Sequence, residues 1–299
     1  MGKTEQKVSQ EGWRTTKKER RSYIIGDLGR TLEGYVVTAM MSTFMIFQGI
    51  NMAAIAGAML IVKIIDAFDD VIFGYLVDRI HITQWKAFQK VTGEGKYLPW
   101  YRLTFFLFPI FTALFFCMPR GWGAGGKLAW FFIFYLLYDL SYTLVEVPMQ
   151  SMIVTLTDNT DERNSILQTK TIINSIATIG AGMLWTVAIS EHVGIGIREV
   201  ALVSSVAFFF MMLPLGRGVK EHNTTLANVD PKETEKYSLK DMWTCIKTNK
   251  YLMLLLLSTV ITSCLQTGGA VGLLVSYYHF GSSLVMAIPI LISLIPVIL

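Results

Sequence analysis

Apolar segments alternate with polar ones along most of the chain, at lengths that suit membrane-spanning helices. An α-helix rises about 1.5 Å per residue, so roughly 20 apolar residues cross the hydrocarbon core of a bilayer. The pattern predicts eight spans, at residues 23–50, 53–77, 103–118, 128–156, 171–190, 199–215, 251–278 and 283–299. We therefore expect an all-α, multi-pass membrane protein.

The basic residues between these spans predict the orientation of the chain. Most of the 26 Lys and Arg residues fall in the N-terminal tail and in the loops on the same side as that tail. The loops on the opposite side contain only Arg120, Lys127 and Arg198. Because Lys and Arg accumulate in cytoplasmic loops, we expect a cytoplasmic N-terminus in the plasma membrane. The first apolar run is long enough to be retained as a helix and is not interpreted as a cleaved signal peptide.

Polar segments divide the chain into four parts. Residues 1–22 form a cytoplasmic tail, 23–215 a bundle of six helices, and 216–250 a polar cytoplasmic linker. Residues 251–299 are predicted to be the first two, incomplete helices of a second bundle. Two six-helix halves joined by a cytoplasmic linker are typical of secondary transporters. Since residue 299 falls inside an apolar run, we expect that about four helices of the second half are missing.

Composition excludes several functional classes. The chain is 53% hydrophobic and 16% charged, with a mean hydropathy of +0.47. Its net charge of +4 comes from residues that flank apolar runs, so we expect no nucleic-acid partner. The three cysteines and four histidines are scattered, which favours neither a disulfide framework nor a metal site built from them. No catalytic motif of a common enzyme class is present, so the chain is not expected to be an enzyme.

Charged residues interrupt the second predicted span near its middle. Asp66, Asp69 and Asp70 lie there together with Lys63. At about 100° per residue all four can face one cavity. An ionised Asp at the centre of a bilayer costs about 2.5–3.5 kcal/mol on insertion scales, so such residues usually bind an ion or a proton. One lysine cannot neutralise three carboxylates, although a purely structural ion pair of Lys63 remains an alternative.

The fourth predicted span contains further oxygen ligands. Thr143 and Glu146 are three residues apart and share a helix face, while Asp139 lies one turn earlier. Carboxylates and a hydroxyl on two facing helices suit a hard cation such as Na⁺. Glu146 could instead form an ion pair with Arg30 or Lys63.

Several segments resemble one transporter family. IIDAFDDVIFGYLVDR is similar to the second helix of the glycoside–pentoside–hexuronide:cation symporters, the melibiose-permease branch of the major facilitator superfamily. YTLVEVPMQSMIVTLTDNTDERNSI resembles their fourth helix and the loop after it, GKYLPWYRL their second loop and YIIGDLGRTLEG the start of their first helix. The resemblance implies the major facilitator fold and alternating-access transport.

The resemblance also implies roles for individual residues. Asp66, Asp70 and Thr143 match cation-site positions, and Asp69 stands where the melibiose permease has an asparagine. The implied substrate-binding residues are Glu146, Lys63, Arg30, Thr31 and Gln150. The implied gating residues are Asp78, Arg79 and Arg163. Thr31 and Gln150 replace an aspartate and a tryptophan of the permease's sugar site, which argues against melibiose itself as the substrate.

Together these observations predict a monomeric symporter of a sugar, glycoside or uronate. The coupling ion is H⁺ or Na⁺, with possible Na⁺ ligands at Asp66, Asp70 and Thr143, and no cofactor is expected. The additional charge of Asp69 favours H⁺, because close carboxylates resist joint ionisation. A transporter of a lysolipid or another amphiphile, and a non-transporting membrane sensor or scaffold, are the alternatives.

Overall fold

The computed structural model describes residues 13–80, 82, 95–190, 192–222 and 247–255, together with isolated positions between 244 and 292; the side chains at 67, 71, 78 and 79 lie outside this description. Long α-helices make up most of these ranges, and no strand occurs in them. The helices are α1 (Lys17–Phe47), α2 (Met52–Arg79), α3 (Leu98–Thr104), α4 (Leu107–Phe116), α5 (Ala124–Leu156), α6 (Thr160–Ile189) and α7 (Ile197–Gly218). The short helices α3 and α4 follow one another as a single span.

Four of these segments are long and apolar enough to cross a membrane: Leu98–Phe116, Ala124–Leu156, Thr160–Ile189 and Ile197–Gly218. Helices α1 and α2, with 31 and 28 residues, are also longer than a bilayer is thick, but charged residues occur along them. The all-α membrane architecture predicted from the sequence is therefore confirmed. The two predicted spans at 251–299 fall largely outside the described residues.

Helices α1 and α6 begin before the apolar runs that predicted them, because polar side chains cap their first turns. Thr16 and Glu19 form a capping box at the start of α1, in which each side chain bonds the backbone N–H of the other residue. Asn159 accepts hydrogen bonds from the N–H groups of Asp161 and Glu162 at the start of α6. The helices consequently extend beyond their apolar parts.

Helix α1 packs mainly against α7 and α6, whereas α5 packs against α2 and α4. Two glycines allow the close contact between α1 and α7. A Cβ atom on Gly29 would lie 2.9 Å from the Cβ of Met211 and 3.0 Å from the carbonyl oxygen of Phe208, and one on Gly26 would overlap Leu215. Small residues are commonly found where membrane helices approach each other closely.

Two carboxylates hold the polar segments at one end of the bundle. Glu162 is fully buried and accepts hydrogen bonds from the backbone N–H groups of Arg14 and Thr15 at 3.0 and 3.1 Å. Glu221, which follows α7, accepts three backbone N–H bonds from residues 96–98 at 2.6–3.0 Å. The chain before α1 and the chain after α7 are thus fixed to the ends of neighbouring helices.

Large apolar side chains are exposed along the outside of several helices. On α2 they recur about once per turn, at Leu60, Ile64, Phe68 and Ile72, each more than half exposed. Leu184 of α6 is also strongly exposed, at 72%. In water such surfaces would be unfavourable, but lipid chains solvate them, so these side chains fit a protein embedded in a bilayer.

Candidate cation and substrate site

The three aspartates of α2 form one cluster. Side-chain oxygens of Asp66, Asp69 and Asp70 all lie within 4.8 Å of one another. Thr143 of α5 donates a hydrogen bond to Asp70 Oδ1 across the contact between the two helices, at 3.0 Å. The structure therefore brings together the four residues that the sequence indicated for cation binding. We call Asp66, Asp69, Asp70 and Thr143 the acidic cluster.

Lys63 joins the acidic cluster to α5. Its ammonium group lies 2.6 Å from Asp66 Oδ2 and 3.3 Å from Asp139 Oδ1. Asp139 is 4% exposed, so it adds a further buried carboxyl group. Among the described residues these ion pairs bring one ammonium group to a set of four aspartates and it contacts two of them, which leaves an excess of negative charge. Lys63, which the resemblance implied for the substrate site, lies beside the acidic cluster.

Asp69 is the least satisfied member of the acidic cluster. The residue is 7% exposed, and neither of its carboxyl oxygens has a hydrogen-bond partner among the described residues. A buried ionised carboxylate without a partner is strongly unfavourable. A proton on this group, or a cation shared with Asp66 and Asp70, would remove the cost.

A second polar network connects α1 with α5. Arg30 Nη1 donates to the Tyr142 hydroxyl at 2.8 Å and to Glu146 Oε1 at 3.1 Å. Its other terminal nitrogen donates to Asp27 Oδ1 and to the Thr31 hydroxyl, both at 3.4 Å. Glu146 therefore forms the ion pair with Arg30 that was one of its two alternatives.

Helix α6 completes this network. Asp27 is fully buried and accepts a hydrogen bond from Asn174 Nδ2 at 2.7 Å, and Lys170 Nζ lies 3.5 Å from its other oxygen. Lys170 also donates to Gln150 Oε1 at 2.9 Å, and Asn174 donates to the Thr31 hydroxyl at 3.1 Å. We call the set the α1–α5–α6 network; its members are Asp27, Arg30, Thr31, Tyr142, Glu146, Gln150, Lys170 and Asn174.

The two groups differ in charge and are linked through Glu146. In the α1–α5–α6 network two acidic residues, Asp27 and Glu146, are matched by two basic ones, Arg30 and Lys170. Glu146 is also close enough to Asp70 for their charges to interact. The α1–α5–α6 network therefore presents many hydrogen-bonding groups without net charge. The acidic cluster beside it has an excess of negative charge.

The expected gating residues are only partly described. Arg163 lies in the first turn of α6 and donates from Nη2 to the carbonyl oxygen of Thr157 at 3.1 Å, which joins the end of α5 to the start of α6. Asp78 and Arg79 are the last residues of α2, and their side chains lie outside the described residues.

Sequence analysis missed four members of the network, namely Asp27, Tyr142, Lys170 and Asn174. Asp27 had a usable signal, since it precedes Arg30 by three residues and so shares its face of α1. Lys170 and Asn174 are likewise four residues apart on α6. Their partnership with Asp27 depends on the packing of α1 against α6, which no local pattern reveals.

Comparison with known proteins assigns the chain to a family. Residues 22–297 match the family model described as MFS/sugar transport protein. The isoprimeverose transporter of Lactiplantibacillus pentosus is 28% identical over 237 residues, which cover 75% of this chain and 47% of the relative. A putative sulfoquinovose importer of Escherichia coli is 26% identical, with coverages of 82% and 50%. A glucuronide carrier protein homolog of Escherichia coli is 28% identical, with coverages of 50% and 30%.

The chain spans about half the length, or less, of these three relatives. The descriptions of the family and of the relatives are those of transport proteins and not of enzymes. They agree with the resemblance found in the second and fourth predicted spans, and with the all-α architecture. The chain is a multi-pass membrane protein that belongs to the MFS/sugar transport protein family.

Proposed function

We propose that this protein is a symporter that carries a sugar, glycoside or uronate through the plasma membrane by alternating access, together with H⁺ or Na⁺. The observation that carries the proposal is the buried Asp69 carboxyl group, which has no partner among the described residues and lies within an acidic cluster that Lys63 contacts only at Asp66. Such a cluster requires a proton or a cation for its stability in a membrane.

The composition of the α1–α5–α6 network supports a carbohydrate as the solute. Sugar hydroxyl groups both donate and accept hydrogen bonds, and the network offers carboxylates, amides, a guanidinium group and hydroxyls. Because its formal charges balance, it suits a neutral sugar or glycoside best, whereas a lysolipid would require an apolar groove. The printed names of the relatives, which include an isoprimeverose transporter and a sulfoquinovose importer, also favour a carbohydrate.

Coupling follows from the position of Glu146 between the two groups. Its carboxylate pairs with Arg30 of the network and also interacts with Asp70 of the acidic cluster. When a cation or proton neutralises the cluster, Glu146 experiences less repulsion and can orient towards the solute and Arg30. A bound ion thereby improves solute binding, and reciprocity requires that the solute improve ion binding equally.

We propose H⁺ as the coupling ion and a cytoplasmic N-terminus. Three carboxyl groups within one helical turn resist joint ionisation, and a proton also removes the cost of burying Asp69. Na⁺ is the alternative ion, because Asp66, Asp70 and Thr143 offer oxygen ligands on two facing helices. The orientation is supported by the basic residues of the N-terminal tail.

The test is counterflow of a panel of labelled pentoses, hexoses, glycosides and uronates in vesicles that contain the full-length protein. Uptake driven by an ion gradient is then measured, first with Na⁺ varied at fixed pH and then with a proton uncoupler at fixed Na⁺. We expect sugar-specific exchange and accumulation that the uncoupler abolishes. Strong stimulation by Na⁺ that survives the uncoupler would instead identify Na⁺ as the coupling ion.

Two substitutions test the acidic cluster directly. Asp66→Asn and Asp70→Asn should lose coupled accumulation while retaining some downhill exchange, since both remove charge from the cluster but leave the α1–α5–α6 network intact. The control is Glu199→Gln, because Glu199 is half exposed at the start of α7 and contacts Arg120 at 3.7 Å. Accumulation with unchanged ion dependence in either Asp variant, correctly folded, would refute the assignment.

A further inference from the structure

Glu33 is a buried acid outside both groups. It lies at the midpoint of α1 and is 0% exposed. At about 100° per residue it shares a helix face with Gly26 and Gly29, which pack against α7. By the same spacing Glu33 lies about 60° around the helix from Arg30 and about 120° from Asp27. Glu33 therefore lies next to the face that carries the α1–α5–α6 network, on the side of α1 that packs against α7.

The surroundings of Glu33 contain hydroxyl groups and no described cation. Thr112 of α4 and Ser205 of α7, both buried, lie beside its carboxyl group, and Tyr138 of α5 is close enough to interact with it. Helix α4 has no charged residue, and in α7 charges occur only in the first and last turns. Arg30, one turn away on α1, is engaged with Asp27, Tyr142 and Glu146 through its terminal nitrogens.

The Glu33 carboxyl group and one neighbouring hydroxyl group have no hydrogen-bond partner among the described residues. Neither oxygen of Glu33 has a hydrogen bond to a described residue, and the Ser205 hydroxyl has none either. The Thr112 hydroxyl donates to the carbonyl oxygen of Phe108 at 3.0 Å, so it retains lone pairs that can accept a hydrogen bond. Tyr138 donates to the carbonyl oxygen of Gly34 at 3.4 Å.

Counting donors and acceptors distinguishes the two protonation states of Glu33. An ionised carboxylate only accepts; the Ser205 hydroxyl beside it is a donor without a partner, and no ion pair of Glu33 occurs among the described residues. A neutral carboxylic acid can donate its O–H to Thr112 and accept from Ser205, which would satisfy all three groups. The neutral form also avoids the cost of a charge buried at the middle of a membrane helix.

We propose that Glu33 is a proton-binding site, separate from the acidic cluster, whose neutral carboxylic acid joins α1 to α4 and α7. The proton makes the close packing of these three helices possible. Loss of the proton would place a negative charge among Thr112, Ser205 and the aromatic core, and the helices would have to separate to admit water. The stability of the bundle should therefore decrease as the pH rises through the ionisation of Glu33.

Infrared spectroscopy of the full-length protein in D₂O tests the protonation state. A protonated carboxyl group in an apolar environment gives a C=O stretching band well resolved from those of carboxylates and amides. We expect such a band at neutral pH, its loss in Glu33→Gln, and its retention in the exposed control Glu199→Gln. If Glu33→Gln leaves every band of protonated carboxyl groups unchanged, Glu33 is ionised and the proposal is wrong.

Thermal unfolding at several pH values tests whether protonated Glu33 stabilises the bundle. Ion-coupled uptake tests whether Glu33 is separate from the ion path. The wild-type midpoint should decrease from neutral to alkaline pH, whereas Glu33→Gln, which retains a donor and an acceptor, should show a flatter profile. Glu33→Ala should be less stable at every pH, because it leaves a cavity and an unpaired Ser205 hydroxyl group. Equal pH profiles in wild type and Glu33→Gln, or loss of ion-coupled accumulation in a folded Glu33→Gln variant, would overturn the proposal.

Discussion

Replacement of Arg30 by methionine should be among the most destabilising changes in the bundle. The substitution keeps much of the side-chain volume but removes the positive charge that separates Asp27 from Glu146. Loss of one partner from a buried ion pair costs about 3–5 kcal/mol. We expect Arg30→Met to lower the free energy of unfolding by about 3 kcal/mol, near the lower end of this range, because Asp27 keeps Asn174 at 2.7 Å and Lys170 at 3.5 Å.

Burial, and not distance, should decide which acid is most strongly coupled to Arg30. The Arg30–Glu146 contact is the shorter one, at 3.1 Å against 3.4 Å for Arg30–Asp27. However, the Glu146 side chain is 30% exposed and can be hydrated after Arg30 is lost, whereas that of Asp27 is 0% exposed. We therefore expect Asp27→Asn to rescue Arg30→Met more than Glu146→Gln does, with coupling energies in the range of about 0.5–3 kcal/mol.

Double-mutant cycles on the full-length protein in detergent measure these coupling energies. Equilibrium unfolding is followed by tryptophan fluorescence. Arg30→Lys is the matched control, since it retains the charge but loses the planar fork that reaches four partners. A free energy of unfolding for Arg30→Met within about 0.5 kcal/mol of the wild type would contradict a coupled network. A larger rescue by Glu146→Gln than by Asp27→Asn would refute the argument from burial.

Three further predictions concern single contacts. Thr143→Val removes the donor that orients the acidic cluster and should weaken binding of the coupling ion about tenfold, measured by titration calorimetry; unchanged affinity would contradict its role. Glu162→Gln leaves one acceptor oxygen for the segment around Thr15, so limited trypsin digestion of the N-terminal tail should accelerate, whereas equal rates would show that the contact does not hold it. At the start of α1, outside the apolar span, burial tends to raise the pKa of Glu19, but hydrogen bonds from Thr16 hold the pKa below its usual 4.5. The stability that Glu19 contributes is thus present above pH 4.5 and lost as the pH falls through the lowered pKa. Glu19→Gln should therefore reduce the decrease in the free energy of unfolding at acidic pH. A decrease identical to that of the wild type would be inconsistent with the capping box.

The sequence predicted features that depend on a single helix or on neighbouring positions in the chain. Apolar runs indicated the membrane helices, and the spacing of Asp66, Asp69 and Asp70 indicated one charged face on α2. Helix periodicity alone determines which residues of one helix share a face. The helix starts were less well predicted, because side-chain caps such as Asn159 extend a helix beyond its apolar part.

Contacts between distant helices were decided by the tertiary structure. Helix periodicity puts Asp27 on the same face as Arg30, a signal that the sequence analysis missed, but only the packing of α1 against α6 brings Asp27 to Lys170 and Asn174. In the same way, nothing in the sequence distinguished Glu33, which α4 and α7 enclose without a described ion-pair partner. The chemistry of a charged side chain depends on the donors, acceptors and charges within a few ångströms of it. In a helical bundle most of those neighbours come from other helices, whose arrangement the local sequence pattern does not specify.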